Sequence, residues 1–255
     1  MKTILVPIDF SATATNASNY ALALAKEYGI KRIVLYNAYQ APVSVDPMVP
    51  TVQLLDIDLM KKSSQEGLTQ AKTALELLNS SGIQIDTFSE YNILTGGINE
   101  LCAAASADLV VIGITGGGAV TETLIGSNAV SVSQHSKLPV IIVPPNAVFE
   151  KINQLVLACD FEQVEETTPL KPLTQLLEIT GAELHVLHVN TPSKHVIDHS
   201  FENMILDRLL KEFSPTYHFI ENESFTAGIN LFSEKNKIDL IITCLLYTSP
   251  SPRDS

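Results

Sequence analysis

Tryptophan is absent from the 255-residue chain, and cysteine occurs only three times, as Cys102, Cys159 and Cys244. These cysteines are far apart and form no C-x-x-C pair, which argues against a disulfide framework, a zinc site or a dithiol redox centre. We interpret them as small buried apolar side chains in a reducing compartment. Charged residues make up 17% of the sequence and hydrophobic residues 45%, a composition typical of a globular protein.

Basic residues are scarce, with 16 Lys and Arg against 28 Asp and Glu, so the formal net charge is −12. A nucleic-acid-binding protein needs a basic face to displace counterions from phosphates, and no Lys/Arg cluster could form one. No stretch approaches the roughly 20 apolar residues that span a bilayer. The apolar run before Asp9 is too short for a signal peptide. The sequence therefore predicts a cytoplasmic protein with no nucleic-acid or membrane partner.

Short β-branched runs alternate with helical patterns through the first half of the chain. Ser11 is the predicted N-cap of the first helix, and Gly29 is its predicted stop. Strict alternation implies right-handed βαβ crossovers and hence a doubly wound, five-stranded parallel sheet of the Rossmann-like α/β class. The predicted strands are Thr3–Pro7, Arg32–Ala38, Gln84–Tyr91, Leu109–Gly113 and Val140–Val143. The predicted helices are Ala12–Tyr28, Val52–Asn79, Gly97–Ser106 and Ala129–His135.

The second half of the chain repeats the first. Asp9 and Asp160 are separated by 151 positions, as are Asn37 and His188. Farther along, two more matches share a smaller offset of 131 positions, which indicates a duplicated domain with a shortened middle segment. These later matches are Gly97-Ile98-Asn99 with Gly228-Ile229-Asn230, and Asp108-Leu109 with Asp239-Leu240.

The second copy ends early. Ile238–Thr243 matches the fourth strand, and Cys244 falls where Gly113 stands in the first copy. The remaining LLYTSPSPRDS is rich in Ser and Pro and predicts disorder. It resembles translated adapter read-through at the ends of some metagenomic gene models, and we expect it to be non-native. The expected domains are residues 1–146, a truncated copy at 150–244, and a tail at 245–255.

The most specific signal follows the fourth strand: Gly113-x-x-Gly116, nine residues, then Gly126-Ser127. Glycines allow close backbone approach to a phosphate, and the N-terminus of the next helix supplies unpaired N–H groups. The alternative is a loop whose glycines only provide flexibility. The pattern is neither a Walker A loop nor a G-x-G-x-x-G dinucleotide fingerprint. Its position between two strands favours an anion-binding loop.

This glycine pattern resembles the ATP-binding signature of the universal stress protein family. Val6–Ser11 is similar to the first strand and loop of that family, and Lys137–Pro144 to its last strand. The resemblance covers about residues 1–145 well and 150–243 weakly. It implies an adenine nucleotide α-hydrolase-like fold that binds ATP or AMP over the strand ends, with Mg²⁺ or Mn²⁺ held through the phosphates.

The resemblance also implies which residues contact the nucleotide. Asp9 would contact the adenosine moiety, as a carboxylate at a strand end can, although it could also cap the following helix. The residues lining the adenine and ribose would be Pro7, Ile8, Ala38 and Ile112. Those along the ribose and phosphates would be Gly113, Gly116, Gly126 and Ser127, with Asn128 as an extra amide donor. Asp160 is present in the second copy but the glycine loop is not, so we expect one site per chain.

Three functions remain open at this point. The first is a nucleotide-binding stress or regulatory protein without catalysis. The second is a weak ATP-hydrolysing or group-transferring enzyme of the same superfamily, which would depend on Thr115, Thr121, Glu122 or Thr123. The third is a dimerisation module that binds no nucleotide. In each case Val140–Val143 would present an apolar edge that favours self-association.

Histidines do not predict a metal site. His185 and His188 lie at odd spacing on a strand and so face opposite sides of the sheet. His195 and His199, with Asp198 nearby, could share a helix face and hold zinc, but surface histidines are the simpler interpretation. No Ser/His/Asp or Cys/His set marks a catalytic centre.

Overall fold

The computed structural model describes residues 1–40, 57–94, 97–114, 127–192 and 200–243. The chain divides into two compact units, Met1–Phe149 and Glu150–Ser255. The predicted disordered tail, residues 245–255, lies outside the described residues. Among the helices that are described, none is long and apolar enough to cross a membrane.

The first unit contains one parallel sheet in the order β3-β2-β1-β4-β5. This confirms the predicted doubly wound, five-stranded α/β fold. The start predicted for the second helix, at Val52, lies outside the described residues. The elements are β1 Thr3–Pro7, α1 Ala12–Tyr28, β2 Arg32–Tyr39, α2 Ile57–Leu78, β3 Gln84–Tyr91, α3 Ile98–Ala105, β4 Leu109–Gly113, α4 Ser127–His135 and β5 Val140–Val143.

Helix α1 begins and ends where its capping residues require. The Ser11 hydroxyl accepts a hydrogen bond from the Ala14 N–H at 3.2 Å, which satisfies a donor that no helical carbonyl reaches. Gly29 adopts φ 67°, and its N–H bonds the Ala25 carbonyl. A left-handed residue costs least when it is glycine. Capping thus sets both ends of the helix that follows β1.

Strand β1 is buried along its whole length because helices cover both faces of the sheet. On one face Leu5 packs with Val34, Leu101 of α3 and Val132 of α4 in a single apolar cluster. On the other face Asn37 bonds Ser64 of α2. A sheet covered on both sides leaves only its strand ends accessible to a small molecule.

The second unit repeats the first four strands, with a parallel sheet in the order β8-β7-β6-β9. Within the described residues it has no equivalent of β5. The fold is therefore duplicated, with five strands described in the first sheet and four in the second. The elements are β6 Gln154–Ala158, α5 Val164–Thr167, α6 Leu170–Thr180, β7 Glu183–Asn190, α7 Ser200–Leu210, β8 Thr216–Glu221, α8 Phe225–Asn236 and β9 Leu240–Thr243.

An acidic residue before the fourth strand of each unit ties that strand to the first. Asp108 Oδ2 accepts the backbone N–H groups of Lys2 at 2.6 Å and Thr3 at 3.1 Å. Asp239 Oδ2 accepts the equivalent N–H groups of Asn153 at 2.7 Å and Gln154 at 2.9 Å. The sequence offsets thus correspond to the same contacts in both units.

Candidate nucleotide-binding site

A cavity of about 250 Å³ opens at the carboxyl ends of β1, β2 and β4 in the first unit. The strand order reverses here, because β2 and β3 lie on one side of β1 and β4 and β5 on the other. In open α/β sheets such a reversal leaves a crevice between two strand ends. The volume is close to the lower end of the ~300–1,000 Å³ usual for small-molecule sites.

Seven of the ten residues predicted from the sequence line this cavity. Gly116 and Gly126 lie outside the described residues, as do Thr115, Thr121, Glu122 and Thr123. Ser127 is the first residue of α4, and its side chain is not described. The seven that converge are Pro7, Ile8, Asp9, Ala38, Ile112, Gly113 and Asn128.

The turn between β1 and α1 directs the first turn of the helix at the cavity. Phe10 adopts φ 64°, and Asp9 Oδ1 accepts the Ser11 N–H at 3.0 Å. Thr13 and Ala14 then line the cavity. A carboxylate has about four acceptor positions, so Asp9 can hold this turn and contact a ligand as well. Both roles considered for Asp9 are therefore compatible.

Gly113 has a packing role in addition to its predicted ligand role. A Cβ atom at this position would lie 2.5 Å from the Thr13 carbonyl oxygen and 2.8 Å from its carbon. Those atoms belong to the backbone of α1, which is capped and cannot yield easily. Glycine here allows β4 to end against the start of α1, and this contact closes one side of the cavity.

A buried hydrogen-bond chain holds the end of β1 in place. Asn37 Nδ2 donates to the Ile8 carbonyl at 2.7 Å, and the Ser64 hydroxyl donates to Asn37 Oδ1 at 2.7 Å. Ser89 Oγ lies 2.7 Å from Ser64 Oγ. Asn37 lines the cavity but was not among the predicted site residues. Its signal was an amide inside the apolar run RIVLYNA, which sequence reasoning used only to align the copies.

Tyr36 forms part of the apolar wall of the cavity and is 2% exposed. Its hydroxyl donates to Glu90 Oε2 at 3.0 Å. Burial, together with the hydrogen bond and charge of Glu90, raises the pKa of Tyr36, so the hydroxyl stays protonated. Asn92 Nδ2 also reaches this carboxylate, at 3.3 Å. This wall is therefore apolar where it faces the cavity, and its polar atoms are hydrogen-bonded to one another.

Most of the lining residues that sequence reasoning missed lie within a few positions of predicted ones, but Asn92, Ile93 and Leu94 come from a segment that contained no predicted site residue. The cavity is lined by five separate chain segments, so a search for one contiguous motif cannot identify all of its lining residues. Besides Tyr36 and Asn37, the missed lining residues are Thr13, Ala14, Gln40, Asn92, Ile93, Leu94 and Ala129.

The second unit has a smaller cavity, about 100 Å³, at the equivalent place. Cys159, Asp160 and Thr243 line it, at the positions of Ile8, Asp9 and Ile112. His188 Nδ1 donates to the Cys159 carbonyl at 2.9 Å, as Asn37 does to the Ile8 carbonyl.

A single aromatic residue behaves differently in the two units. In the first, Phe10 is 43% exposed and its ring lies against Gly67 of α2. In the second, Phe161 is 2% exposed and stacks on Phe219, with ring centroids 5.5 Å apart. The second unit thus buries the aromatic side chain that the first unit leaves partly exposed to solvent.

The sheet order, the buried central strand and the cavity at the reversal of strand order define a doubly wound α/β protein with a crevice where such folds place their ligand sites. The family model described as the universal stress protein family matches residues 1–144. The chain therefore belongs to the universal stress protein family.

Known relatives agree with this assignment. Universal stress protein MJ0531 of Methanocaldococcus jannaschii is 29% identical over 142 residues, covering 56% of this chain and 81% of the relative. Universal stress protein G of Salmonella typhimurium is 28% identical over 144 residues, covering 56% of this chain and 98% of the relative. A crystal structure of a universal stress protein from Archaeoglobus fulgidus has a TM-score of 0.70 at 20% identity, covering 94% of this chain and 86% of that chain. This last similarity concerns the fold alone.

Proposed function

We propose that the first unit binds an adenine nucleotide, ATP or AMP, and that the protein acts in a stress response through this binding rather than through catalysis. The observation that carries the proposal is the convergence of seven predicted site residues on one cavity at the reversal of strand order. Asp9 supplies an acceptor for a ribose hydroxyl or adenine amine, and Ala38 and Ile112 supply apolar contact for the base.

The phosphates would lie toward the start of α4. Asn128 and Ala129, in its first turn, line the cavity, as do Thr13 and Ala14 of α1. Helix N-termini attract anions through unpaired N–H groups and the helix dipole. Gly116, Gly126 and Ser127 would complete the phosphate contacts. Among the described residues no three His, Cys, Asp or Glu side chains converge, so Mg²⁺ or Mn²⁺ would be held through the phosphates.

The direct test fills the cavity. Ala38→Phe places a ring in the space proposed for the base, and calorimetric titration with ATP and AMP should show affinity reduced more than tenfold, or about 1.4 kcal/mol. Ala104→Phe, at an exposed position of α3, adds the same ring outside the cavity and should leave the affinity unchanged. Equal affinities in the two variants, or no binding by the parent protein, would contradict the proposal.

The rate of ATP hydrolysis distinguishes a nucleotide-binding protein without catalysis from an ATP-hydrolysing enzyme. We expect tight nucleotide binding with negligible ATP hydrolysis by the purified protein. Rapid hydrolysis that is lost in Gly116→Val would instead favour the superfamily enzyme. Failure to retain any nucleotide on purification would favour the dimerisation module.

We also propose that the chain is cytoplasmic, with one nucleotide site, and that it self-associates through β5. This strand lies at the edge of its sheet, and Ile142 is 37% exposed. An apolar edge strand is a template for pairing with another chain. Light scattering should detect species larger than a monomer, and a stable monodisperse monomer would count against the pairing.

A further inference from the structure

Two histidines of the second unit face each other across neighbouring strands. The Nδ1 atom of His185 on β7 lies 3.0 Å from the Nε2 atom of His218 on β8. The register pairs His185 with Thr216 and Leu187 with His218, so the two histidines are diagonal neighbours on one face of the sheet. The sequence showed only that His185 and His188 point to opposite faces. The partner of His185 is a residue 33 positions away.

Gln154 of β6 determines the tautomer of His185. Its Oε1 atom lies 2.5 Å from His185 Nε2, and its Nε2 atom donates to Glu183 at 2.9 Å. An amide oxygen only accepts, so His185 Nε2 carries the proton and His185 Nδ1 presents its lone pair. Metal-binding imidazoles are usually held in this way, with the second ring nitrogen donating to an oxygen that orients the ring.

Packing holds the second ring. The Phe232 ring of α8 lies 4.7 Å from the His218 ring and 6.2 Å from the His185 ring, measured between centroids. The Phe232 ring therefore packs against both imidazoles on this face of the sheet. Both rings are only half-buried, so an ion can reach them.

The first unit has an apolar pair at the corresponding positions. His185 corresponds to Val34 by the offset of 151 positions. Leu187 corresponds to Tyr36 by the same offset, and these residues pair with His218 and Phe88 respectively. The fold therefore does not require polar side chains here, and the histidine pair is particular to the second copy.

We propose that His185 and His218 form a two-histidine site for a divalent transition-metal ion. At the ~2.0–2.1 Å of metal–imidazole bonds, nitrogen atoms 3.0 Å apart subtend an angle of about 94° at the metal. That angle suits adjacent positions of an octahedral or tetragonal ion such as Ni²⁺ or Cu²⁺ better than a tetrahedral one. Water fills the remaining positions, because no third His, Cys, Asp or Glu of the described residues joins the pair. His218 keeps one ring proton, which moves from Nε2 to Nδ1.

The test is calorimetric titration of the full chain, free of any histidine tag, with NiCl₂. We expect one saturable event of unit stoichiometry that disappears in the double variant His185→Val, His218→Phe, which introduces the residue types of the first copy. Gln154→Met, which removes the orienting oxygen, should weaken binding about tenfold or more. The matched control, His195→Gln with His199→Gln, changes the other closely spaced pair and should bind Ni²⁺ as the parent does.

A parent protein without saturable binding would overturn the site, as would equal binding by the His185/His218 double variant. So would loss of binding in the His195/His199 control. Histidine modification by diethylpyrocarbonate, mapped by mass spectrometry on the parent protein, gives an answer even if the double variant does not fold. Ni²⁺ should protect His185 and His218, and protection confined to other histidines would contradict the proposal.

Discussion

The two units share a strand order and a turn after the first strand, yet their cavities differ in volume, about 250 against about 100 Å³. Both Asp9 and Asp160 accept an N–H from two residues ahead, at 3.0 Å. The conserved turn therefore does not by itself make a site. The residues around the turn differ: Thr167, Thr168 and Phe225 line the smaller cavity, whereas Tyr36, Asn37 and Asn128 line the larger one.

The comparison also separates residues that maintain the fold from residues that shape a site. The contacts of Asp108 recur at Asp239, and those of Asn37 recur at His188 with a different side chain. The histidine pair and the large cavity each occur in one copy. A contact found in both copies is best explained by folding, and a feature found in one is open to a separate function. Four predictions test this division, from the largest expected effect to the smallest.

The largest effect is expected at Gly113. Gly113→Ala would place a Cβ 2.5 Å from the Thr13 carbonyl oxygen, and we expect it to destabilise the first unit by about 2–3 kcal/mol and to weaken nucleotide binding. The comparison variant in the second unit is Gly228→Ala, at the position that corresponds to Gly97. Its Cβ would meet side chains and not backbone, Val189 at 2.6 Å and Asn222 at 3.2 Å, and alanine favours the helix by about 1 kcal/mol. Hydrogen exchange measured by mass spectrometry, peptide by peptide, reports each unit separately. Similar losses in both variants would show that backbone contact is not the cause.

Asn37→Ala should cost the first unit about 2 kcal/mol, because it leaves the Ile8 carbonyl and the Ser64 hydroxyl without their buried partner. Urea unfolding followed by hydrogen exchange of the first unit measures this change. Ser89→Ala removes only one hydroxyl contact and should cost about half as much. A smaller loss in Asn37→Ala than in Ser89→Ala would mean that Asn37 does not hold the strand end.

Asp108→Ala and Asp239→Ala should each destabilise their own unit by about 1 kcal/mol, since each carboxylate accepts two backbone N–H groups. Replacing either aspartate with asparagine keeps an acceptor oxygen and should therefore reduce stability less than replacing it with alanine. The same exchange experiment compares the two units. Unequal losses of stability in the two units would show that this contact is not equivalent in the two copies.

The smallest effect concerns an ion pair of the first unit. Burial alone would raise the pKa of the Asp86 carboxyl. Hydrogen bonds from Arg32 and Gln84, with the charges of Arg32 and Lys72, outweigh that effect and hold the pKa below its usual value. Arg32 Nε lies 2.6 Å from Asp86 Oδ2.

Because the folded pKa of Asp86 is depressed, its contribution is fully present above the unfolded pKa of about 3.9 and is lost as pH falls through the folded pKa. Both side chains are about one-third exposed, so Arg32→Gln should cost less than about 1 kcal/mol at neutral pH. The variant should also show a shallower loss of stability below about pH 4. Denaturation midpoints between neutral and acid pH measure this, and parallel curves for parent and variant would contradict it.

Much of the fold could be predicted from the sequence because local rules agree with the global pattern. The bounds of Thr3–Pro7, Ala12–Tyr28, Gln84–Tyr91, Leu109–Gly113 and Val140–Val143 were predicted as the structure has them. Helix α4 was predicted from Ala129 but begins at Ser127. The start of that helix follows a glycine loop, where spacing carries little information about the first helical residue.

The sequence by itself determined the alternation of strands and helices, the duplication, and the segments that reach the strand ends. Periodicity, capping residues and fixed offsets are local or linear properties, and they can be read along the chain. Only the tertiary structure decided which side chains meet: Asn37 with Ile8 and Ser64, Gly113 with the backbone of Thr13, and His185 with His218. These contacts depend on strand register and helix placement, which are set by packing of the whole sheet and not by neighbours along the chain.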